Sequence, residues 1–210
     1  IAAIYKAKGK LFNRYAIANE AWKIEVNTLG WYGGKQDQYA SAFGGLNLIE
    51  FGQTISVMTL AREDAERLFE WMTLFYIGGQ RDSKTIQTGF KELTNAKKEI
   101  LDNIKKKVTM VQHWLQANYM YGVGELLNEA WELKKRSNKG ISNAKIDDIY
   151  DYALKNGAIG GKILGAGGAG YMMFICNPHD QEELKRKMAK EGIENIDFGV
   201  DWNGVEARIL

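Results

Sequence analysis

The spacing of apolar residues predicts a helix and then a hairpin in the first part of the chain. From Tyr15 to Leu29 apolar side chains recur at every third or fourth position, which is typical of one helical face, and Gly30 stops the pattern. Two strand-like runs, 46–51 and 54–60, are separated by a Gly-Gln pair. This order predicts two antiparallel strands joined by a short turn.

The middle of the chain predicts a strand and a long helical region. Residues 64–70 can be helical, and the apolar and aromatic run 71–77 predicts a strand. From residue 83 to 133 apolar positions keep steps of three, four or seven, and Gly122 and Gly124 interrupt them. We therefore expect a kink or a break between two helices at these glycines.

The last third predicts helices alternating with strands. A helix over 146–153 is followed by a glycine-rich segment, 160–170, and by an apolar strand, 171–176. Asp180, with an acidic residue three positions later, predicts a capping box at the start of another helix. An Asn-Gly pair between the runs 196–200 and 205–209 predicts a final hairpin. This order suits an α+β fold with helices on one face of an antiparallel sheet.

Composition and charge exclude several classes of protein. The chain has 210 residues, 45% of them hydrophobic, and a formal net charge of +2. That charge is too small to indicate a nucleic-acid partner, and no apolar run approaches the length of a membrane span. With a single cysteine, Cys176, no internal disulfide can form, so we expect a cytoplasmic protein with a small core thiol. The start carries no signal-peptide pattern and no initiator Met.

The glycine-rich segment 160–170 is the first candidate for chemistry. Glycines let backbone N–H groups approach an anion, so such a loop suits a phosphate group. A tight turn against a neighbouring backbone is an equal alternative. The segment is neither a Walker loop, because Gly-Lys-Ser/Thr is absent, nor a clean dinucleotide fingerprint, because a strand follows it.

A second candidate lies beside Gly33 and Gly34, where Lys35 and Asp37 are two positions apart. A carboxylate can orient a hydroxyl and accept its proton, and an ammonium can neutralise phosphate charge. From the residues alone, a helix-capping aspartate beside a surface lysine is the better interpretation.

Further charged residues are weaker candidates. Arg81 and Lys84 precede a predicted helix, whose free N–H groups could hold a phosphate, or could simply be capped and solvated. His113 and His179 show no metal-ligand spacing, so we predict no metal site from them.

Two of these segments together resemble a known family. The segment 162–170 (KILGAGGAG) resembles the third motif of the GHMP kinases, which include galactokinase, homoserine kinase and mevalonate kinase. The segment 34–45 resembles the stretch that holds their catalytic aspartate. Within the family the likeness is greatest to D-glycero-D-manno-heptose 7-phosphate kinases, also over 74–81 and 130–147, and it covers nearly the whole chain.

The resemblance implies an ATP-dependent kinase that uses Mg²⁺ and phosphorylates a sugar phosphate. The implied acceptor is the anomeric hydroxyl of a heptose 7-phosphate, on the way to a nucleotide-activated heptose. The implied fold has the remainder of an N-terminal domain at 1–75 and a ferredoxin-like C-terminal domain at 76–210, with the site between them. The implied partners are ATP and the sugar phosphate, with no nucleic acid and no membrane, and a homodimer is among the assemblies considered.

The resemblance also implies roles for individual residues. Asp37 matches the general base. The residues expected to contact the substrate are Lys35, Gln38, Arg81, Gly165, Ala166, Gly167 and Gly168, where the role of Arg81 as a ligand for the sugar's own phosphate is a hypothesis from charge and position. Gly168 and Gly170 are expected to support the nucleotide.

Two departures from the family pattern qualify these expectations. The first two family motifs, including the Ser-Ser loop that binds ATP phosphates, are not in this sequence, and 1–10 resembles the end of the helix that follows that loop. We therefore expect about the first third of a typical member to be missing, and no turnover of ATP by these residues alone. Ala169 stands where many members have glycine, so its methyl group is expected to strain the loop if its φ is positive.

Two other functions stay open. Another GHMP kinase, for a hexose or a mevalonate-type acceptor, would differ only in its acceptor pocket. A non-catalytic GHMP-like protein that binds a sugar as a sensor would have no need of a base, so the presence of Asp37 argues against it. An unrelated α+β binding module is disfavoured by two family motifs in the family's order.

Overall fold

In this computed structural model the chain forms two compact units. The structure describes residues 1–31, 33–79, 94–138, 140–165 and 167–208. The first unit comprises Ile1–Ala65 and Gly199–Leu210, and the second comprises Glu66–Phe198. The contacts thus assign the C-terminal segment to the first unit, whereas the expected family-domain boundary at residues 75 and 76 stays a prediction.

The first unit begins with helices. They are α1, Ala2–Ala7; α2, Arg14–Lys23, which a π-helical turn, Ile24–Thr28, extends; and α3, Gln36–Phe43. Asn13 caps α2 by accepting a hydrogen bond from the N–H of Ala16 at 2.7 Å. The helix predicted from the apolar stripe is confirmed, and its last turn is π-helical.

The predicted hairpin is also confirmed. Strand β1, Asn47–Phe51, pairs with β2, Ile55–Thr59, in antiparallel register. Helix α4, Arg62–Glu70, follows and matches the helical segment predicted there. Ala18 of α2 and Tyr39 and Ala42 of α3 form the buried core of this unit.

The predicted final hairpin is wrong, because no strand occurs in residues 196–208. Gly204 lies directly against α3, and a Cβ atom placed on it would come 2.5 Å from the carbonyl oxygen of Ala42. The N–H of Val205 donates to that same oxygen at 3.1 Å. The Asn-Gly pair does form a turn, but the turn closes on the carboxylate of Asp201, which accepts from the N–H of Gly204 at 3.1 Å. The C-terminal segment therefore packs on α3 with the backbone groups that would have paired with a second strand in a hairpin.

The second unit is an antiparallel sheet with helices. Its elements are β3, Met72–Gly78; α5, Asn95–Gln116; α6, Met120–Ser137; α7, Ala144–Lys155; β4, Ala158–Ile163; β5, Gly170–Cys176; α8, Gln181–Lys190; and β6, Glu194–Asn195. The strand order is β4-β5-β3-β6, and every pair is antiparallel. This is the ferredoxin-like order that was predicted, and the described residues between β3 and β4 include the helices α5, α6 and α7.

The core of the second unit lies between the sheet and its helices. Phe75 and Phe174 from neighbouring strands contact each other edge to face, 6.1 Å between ring centroids. Trp131, Tyr150 and Leu184 from three helices complete the buried cluster. Each of these side chains is 1% exposed or less. Burial of this kind supplies most of the stability of such a unit.

Cys176 belongs to the same buried cluster and is 0% exposed. Burial raises the pKa of its thiol to about 11, and the carboxylate of Asp180 adds to the shift. A buried, protonated thiol is a poor nucleophile. The prediction of a small core residue is confirmed.

The helix break predicted at Gly122 and Gly124 is misplaced. The chain breaks earlier, at Asn118, whose φ is 55°, between α5 and α6. Both glycines lie inside α6, where a Cβ atom on Gly124 would come 2.7 Å from Cγ2 of Ile159. Gly124 therefore allows close packing of the helix on β4, Gly122 lies against the rings of Tyr119 and Trp114, and neither glycine ends the helix.

Two local predictions are corrected in the last third. The first residues of the glycine-rich segment, Gly160 and Gly161, lie in strand β4 and not in a loop. Helix α8 does follow Asp180, but the Asp180 side chain makes no capping hydrogen bond. The helix start is confirmed, and the capping box is wrong.

Candidate functional site

A cavity of about 460 Å³ in the first unit borders the start of α3. This volume lies within the range of small-molecule sites. Its polar lining comes from two helical segments, and its apolar lining from α2, α3 and the C-terminal segment. The lining residues are Ile17, Ala18, Ala21, Glu25, Asp37, Gln38, Ser41, Ala42 and Val205. Apolar walls with a few converging polar groups are typical of small-molecule sites.

Asp37 is the second residue of α3 and faces this cavity as an exposed side chain. Helix α3 begins after the glycine-rich turn, so its first turn has unpaired backbone N–H groups. The positive end of the helix dipole favours a carboxylate at this position. An exposed carboxylate at a cavity wall can accept a proton from a bound hydroxyl group.

Lys35 is held away from Asp37. Its ammonium lies 4.4 Å from the centroid of the Trp22 ring, a cation–π contact. The indole N–H of Trp22 in turn donates to the carbonyl oxygen of Gly33 at 3.3 Å. No ion pair joins Lys35 to Asp37, although the structure describes both side chains. In this structure Lys35 therefore contacts the Trp22 ring and not the carboxylate of Asp37.

Gln38 is fixed by a residue that the sequence analysis missed. Its amide N–H donates to the carboxylate of Glu25 at 2.5 Å. Glu25 belongs to the π-helical turn and lines the same cavity. The amide oxygen of Gln38 is buried and has no donor among the residues that the structure describes. A buried oxygen without a donor costs about 1–3 kcal/mol, which a bound hydroxyl group would recover.

One signal in the sequence could have pointed to Glu25. It lies four and seven positions after Ala21 and Ala18, on the face that lines the cavity. An acidic residue on a small, apolar helix face is unusual where the face packs in a core. The π-helical turn was not predictable from this spacing, and such turns are frequent at functional sites.

The described residues of the glycine-rich segment between positions 164 and 169 lie in the loop between β4 and β5 of the second unit, and Gly170 is the first residue of β5. Gly165, Gly167, Gly168 and Gly170 have φ values of 75°, 101°, 79° and 99°. Such backbone is strained for any residue with a side chain. A Cβ atom on Gly167 would also come 2.8 Å from the carbonyl oxygen of Ile141. The loop is thus a tight turn against a neighbouring backbone, which is one of the two interpretations of this segment. The other interpretation, a glycine-rich loop for a phosphate group, stays open.

Two backbone groups of this loop already have partners. The N–H of Gly168 donates to the carbonyl oxygen of Ile141 at 2.8 Å. The ammonium of Lys134 donates to the carbonyl oxygen of Gly165 at 3.2 Å. These bonds hold the loop on α6 and on the connection that follows α6. Gly168 therefore contributes shape to the loop, because its N–H is not available to a phosphate.

The strain expected at Ala169 does not occur. Asn118 is the one residue other than glycine with a positive φ in the described part of the chain, so Ala169 has ordinary backbone geometry. The Ala169 side chain is 4% exposed. A Cβ atom on Gly79 would come 2.9 Å from that of Ala169. Alanine fits here because its neighbour is glycine.

The candidate residues fall into separate parts of the structure. Lys35, Asp37 and Gln38 lie together in the first unit, whereas Gly165, Gly167, Gly168 and Gly170 lie together in the second. Arg81, Lys84 and Ala166 are outside the described residues. The contacts predicted for all of these residues with substrate or nucleotide stay predictions.

The described residues show neither a metal-binding cluster nor a membrane-spanning helix. Within the described ranges no three His, Cys, Asp or Glu side chains are grouped so that they could hold a metal ion. No helix in those ranges combines the length and the apolar character needed to cross a membrane.

Comparison with known proteins agrees with this fold. Residues 115–194 match the family model for the GHMP kinases C terminal. The chain is 30% identical over 217 aligned positions to D-glycero-alpha-D-manno-heptose 7-phosphate kinase of Campylobacter jejuni. The alignment covers 99% of this chain and 64% of that enzyme. The chain thus spans less than two thirds of this relative.

Solved structures show the same likeness. The crystal structure of a sugar kinase from Campylobacter jejuni is 30% identical to this chain, with a TM-score of 0.73. The match covers 97% of this chain and 60% of that chain. The structure of a D-glycero-D-manno-heptose 1-phosphate kinase from Bacteroides thetaiotaomicron is 28% identical to this chain, with a TM-score of 0.71. The match covers 95% of this chain and 56% of that chain. The chain therefore has the α+β fold of the GHMP kinases. Residues 115–194 thus match the C-terminal domain of the GHMP kinases, and the described chain has the fold of that family.

Proposed function

We propose that the protein containing this chain is a kinase that transfers the γ-phosphate of ATP to a hydroxyl group of a sugar phosphate. The observation that carries the proposal is the exposed carboxylate of Asp37 at a cavity with apolar walls and few polar groups. The names of the two heptose phosphate kinases, at 30% and 28% identity, support a heptose phosphate as the acceptor. The finer proposal is the anomeric hydroxyl of a heptose 7-phosphate, which would feed the synthesis of a nucleotide-activated heptose.

In this proposal Asp37 accepts the proton of the attacking hydroxyl group. A general base of this kind typically contributes a factor of about 10² to 10⁴ in rate. The amide oxygen of Gln38 accepts a hydrogen bond from a second hydroxyl group, because it is buried and without a donor among the described residues. Because Glu25 holds the amide by its N–H, the amide oxygen is the group of Gln38 that would accept a hydrogen bond.

The proposed reaction also needs ATP with Mg²⁺. ATP brings Mg²⁺, which neutralises phosphate charge and is typically held by one or two carboxylates together with phosphate oxygens. Lys35, above Trp22, is a candidate contact for a phosphate group.

The remaining contacts are proposed from family position. Gly165, Ala166, Gly167 and Gly168 would contact the substrate, and Gly168 and Gly170 would support the nucleotide loop. The positive φ values of the four glycines support a fixed loop shape. For Arg81 we propose a contact with the sugar's own phosphate.

The test uses the whole natural protein that contains these residues. Release of ADP from Mg-ATP is followed with D-glycero-D-manno-heptose 7-phosphate, galactose, mannose, fucose and mevalonate. We expect turnover on the heptose phosphate, and a loss of kcat of about 100-fold or more in Asp37→Asn. Asp102→Asn, an exposed aspartate on α5, is the matched control and should keep full activity.

Other outcomes separate the alternatives. Turnover on another acceptor would keep the kinase and overturn the heptose assignment. Sugar binding without turnover on any acceptor would support the non-catalytic sensor. Unchanged kcat in Asp37→Asn would remove Asp37 from the role of base.

A further inference from the structure

Trp22, near the end of α2, contacts two parts of the segment that leads into α3. The centroid of its ring lies 4.4 Å from the ammonium of Lys35. Its indole N–H donates to the carbonyl oxygen of Gly33 at 3.3 Å, which ties the ring to the backbone two residues before this lysine. One side chain of α2 thus binds both the backbone and the cation of the segment.

The glycines before Lys35 do not fix its position by themselves. No atom lies within 4 Å of the Cβ positions of Gly33 and Gly34, so their backbone borders open space. Glycine also has the widest choice of backbone angles of any residue. The direction of the Lys35 side chain is therefore set by its contact with the Trp22 ring, and not by packing of the backbone that carries it.

Without the ring, the carboxylate of Asp37 is the natural partner for Lys35. The two residues are two positions apart at the start of α3, and neither side chain is buried. A cation–π contact and an ion pair at exposed positions have similar strength, so either partner can hold the ammonium. In this structure the ammonium lies on the ring, and the Asp37 carboxylate forms no ion pair or hydrogen bond with the described residues.

The choice of partner matters for the chemistry of a carboxylate. A carboxylate that is paired with a cation is a weaker base, and its oxygens are occupied by the partner. Among the side chains that line the cavity, the other charged one is Glu25, whose carboxylate accepts from the amide of Gln38. No cation is among the described lining residues, so Lys35 is the neighbour in sequence that could occupy Asp37.

We propose that Trp22 is a positioning residue that holds the ammonium of Lys35 away from Asp37 and so keeps this carboxylate unpaired. The inference rests on the proposed function, in which Asp37 accepts the proton of the acceptor hydroxyl group. A cation above an aromatic ring at a partly exposed place is held weakly, so it can move to a phosphate group of an arriving substrate. Trp22 therefore protects the base while Lys35 stays available as a phosphate contact.

The first test does not depend on turnover. Lysine side chains of the whole natural protein are converted to isotope-labelled dimethylamines, which keep their positive charge, and are observed by NMR. The signal of Lys35 is identified by its absence in Lys35→Met. We expect the ring to shift this signal upfield in the wild type and the shift to vanish in Trp22→Leu. Asp37→Asn should then move the Lys35 signal in the Trp22→Leu background but not in the wild type, because the ion pair forms only without the ring.

The second test compares kcat of the same variants with Mg-ATP and the heptose phosphate. Trp22→Leu should lower kcat by about threefold or more, because the paired carboxylate is a weaker base. In the Lys35→Met background, Trp22→Leu should have no further effect on kcat, since the ammonium that it releases is absent. KM for the phosphorylated substrate should rise in both Lys35→Met variants, because their phosphate contact is lost. Trp22→Phe keeps a ring face and should retain at least about half of the wild-type kcat.

Trp31→Leu is the matched control. Trp31 lies in the same segment, its side chain is 55% exposed, and its ring contacts no cation among the described residues. The same change of residue type should therefore leave both kcat and the Lys35 signal as in the wild type. Circular dichroism melting checks that each variant folds. Trp22→Met, which also lacks a ring and suits a helix, replaces Trp22→Leu if that variant does not fold.

Two results would overturn the proposal. A Lys35 signal that ignores Asp37→Asn in the Trp22→Leu background would show that the ring does not separate the two charges, whatever the activity. Equal losses of kcat from Trp22→Leu with and without Lys35 would show that the ring supports the fold and does not act through the ammonium. Absence of turnover in the wild type would overturn the kinase function instead, and the NMR result would still decide whether Trp22 keeps Lys35 from Asp37.

Discussion

At the scale of single residues, the candidate site depends on three side chains at the start of α3. Asp37 is exposed at the cavity, and Lys35 lies on Trp22. Gln38 is held by Glu25. The sequence identifies Asp37 and its neighbours by family position. It does not identify Glu25, because the π-helical turn decides which residues after α2 face the cavity.

The glycine-rich loop gives a prediction at the same scale. Gly167→Ala should lower the free energy of unfolding by about 2–4 kcal/mol, because it combines backbone strain with a clash against Ile141. Gly192→Ala is the matched control, since its φ is 74° but nothing lies within 4 Å of its Cβ position. It should cost only about 1 kcal/mol. Urea denaturation measures both, and equal losses would contradict the role of Ile141.

At the scale of elements, strand β4 shows how the second unit protects a sheet edge. In the order of the described strands β4 is at one end, so one side of its backbone has no partner among them. The Tyr150 hydroxyl of α7 accepts from the N–H of Gly161 at 3.0 Å. The same hydroxyl lies 2.8 Å from Oδ1 of Asn128 and 3.2 Å from the carbonyl oxygen of Gly161. A side chain of helix α7 thus forms hydrogen bonds with the backbone of Gly161 at the sheet edge. Unpaired backbone groups at such an edge could otherwise pair with a strand of another chain.

This contact predicts a measurable loss. Tyr150→Phe leaves the Gly161 backbone unpaired in a buried place and should cost about 1–3 kcal/mol of stability at pH 7. Tyr152→Phe changes the same residue type on the same helix and should cost less than about 0.5 kcal/mol. Equal costs in the two variants would show that the edge contact is not what stabilises β4.

The same contact predicts a pH dependence. Burial raises the pKa of Tyr150 above its ordinary value near 10, and a hydrogen bond with Gly161 opposes the shift only in part. The folded state therefore keeps this proton after the unfolded chain has lost it, so the stability it contributes is present below pH 10 and is lost as pH rises. The stability difference between wild type and Tyr150→Phe should shrink above pH 10, as urea titrations at each pH would show. A constant difference would contradict the shift.

At the scale of the whole molecule, the first unit is built from both ends of the sequence. The N–H of Gly45 donates to the carbonyl oxygen of Asp201 at 2.7 Å, and Arg14 donates to that of Asn203 at 2.9 Å. Trp202 contacts the guanidinium of Arg62, 4.6 Å from its ring centroid. Long-range contacts of this kind close a large loop and are hard to predict from local patterns.

A truncation tests this assembly. A chain that ends at Phe198 should lose protection of the first unit, so amide exchange at Gly45 and in α3 should become at least about tenfold faster. Amides of β5 should change by less than about twofold, because the buried core of the second unit lies within Glu66–Phe198. Hydrogen exchange with mass spectrometry measures both regions. Faster exchange throughout the chain would show that the segment supports the second unit as well.

The sequence by itself determined most elements of this protein and its family. Apolar periodicity and turn residues act over a few positions, so helix α2, the β1–β2 hairpin, strands β3 and β5 and the antiparallel sheet were predicted from local patterns. The glycine-rich segment and the segment around Asp37 carried the resemblance to the family.

The tertiary structure alone decided the rest. Gly124 stays in a helix because β4 packs against it, and the Asn-Gly turn forms no hairpin because α3 takes its backbone hydrogen bond. Ala169 is unstrained because Gly79 leaves room for its methyl group. In each case a partner distant in sequence sets the conformation, and local spacing carries no information about that partner.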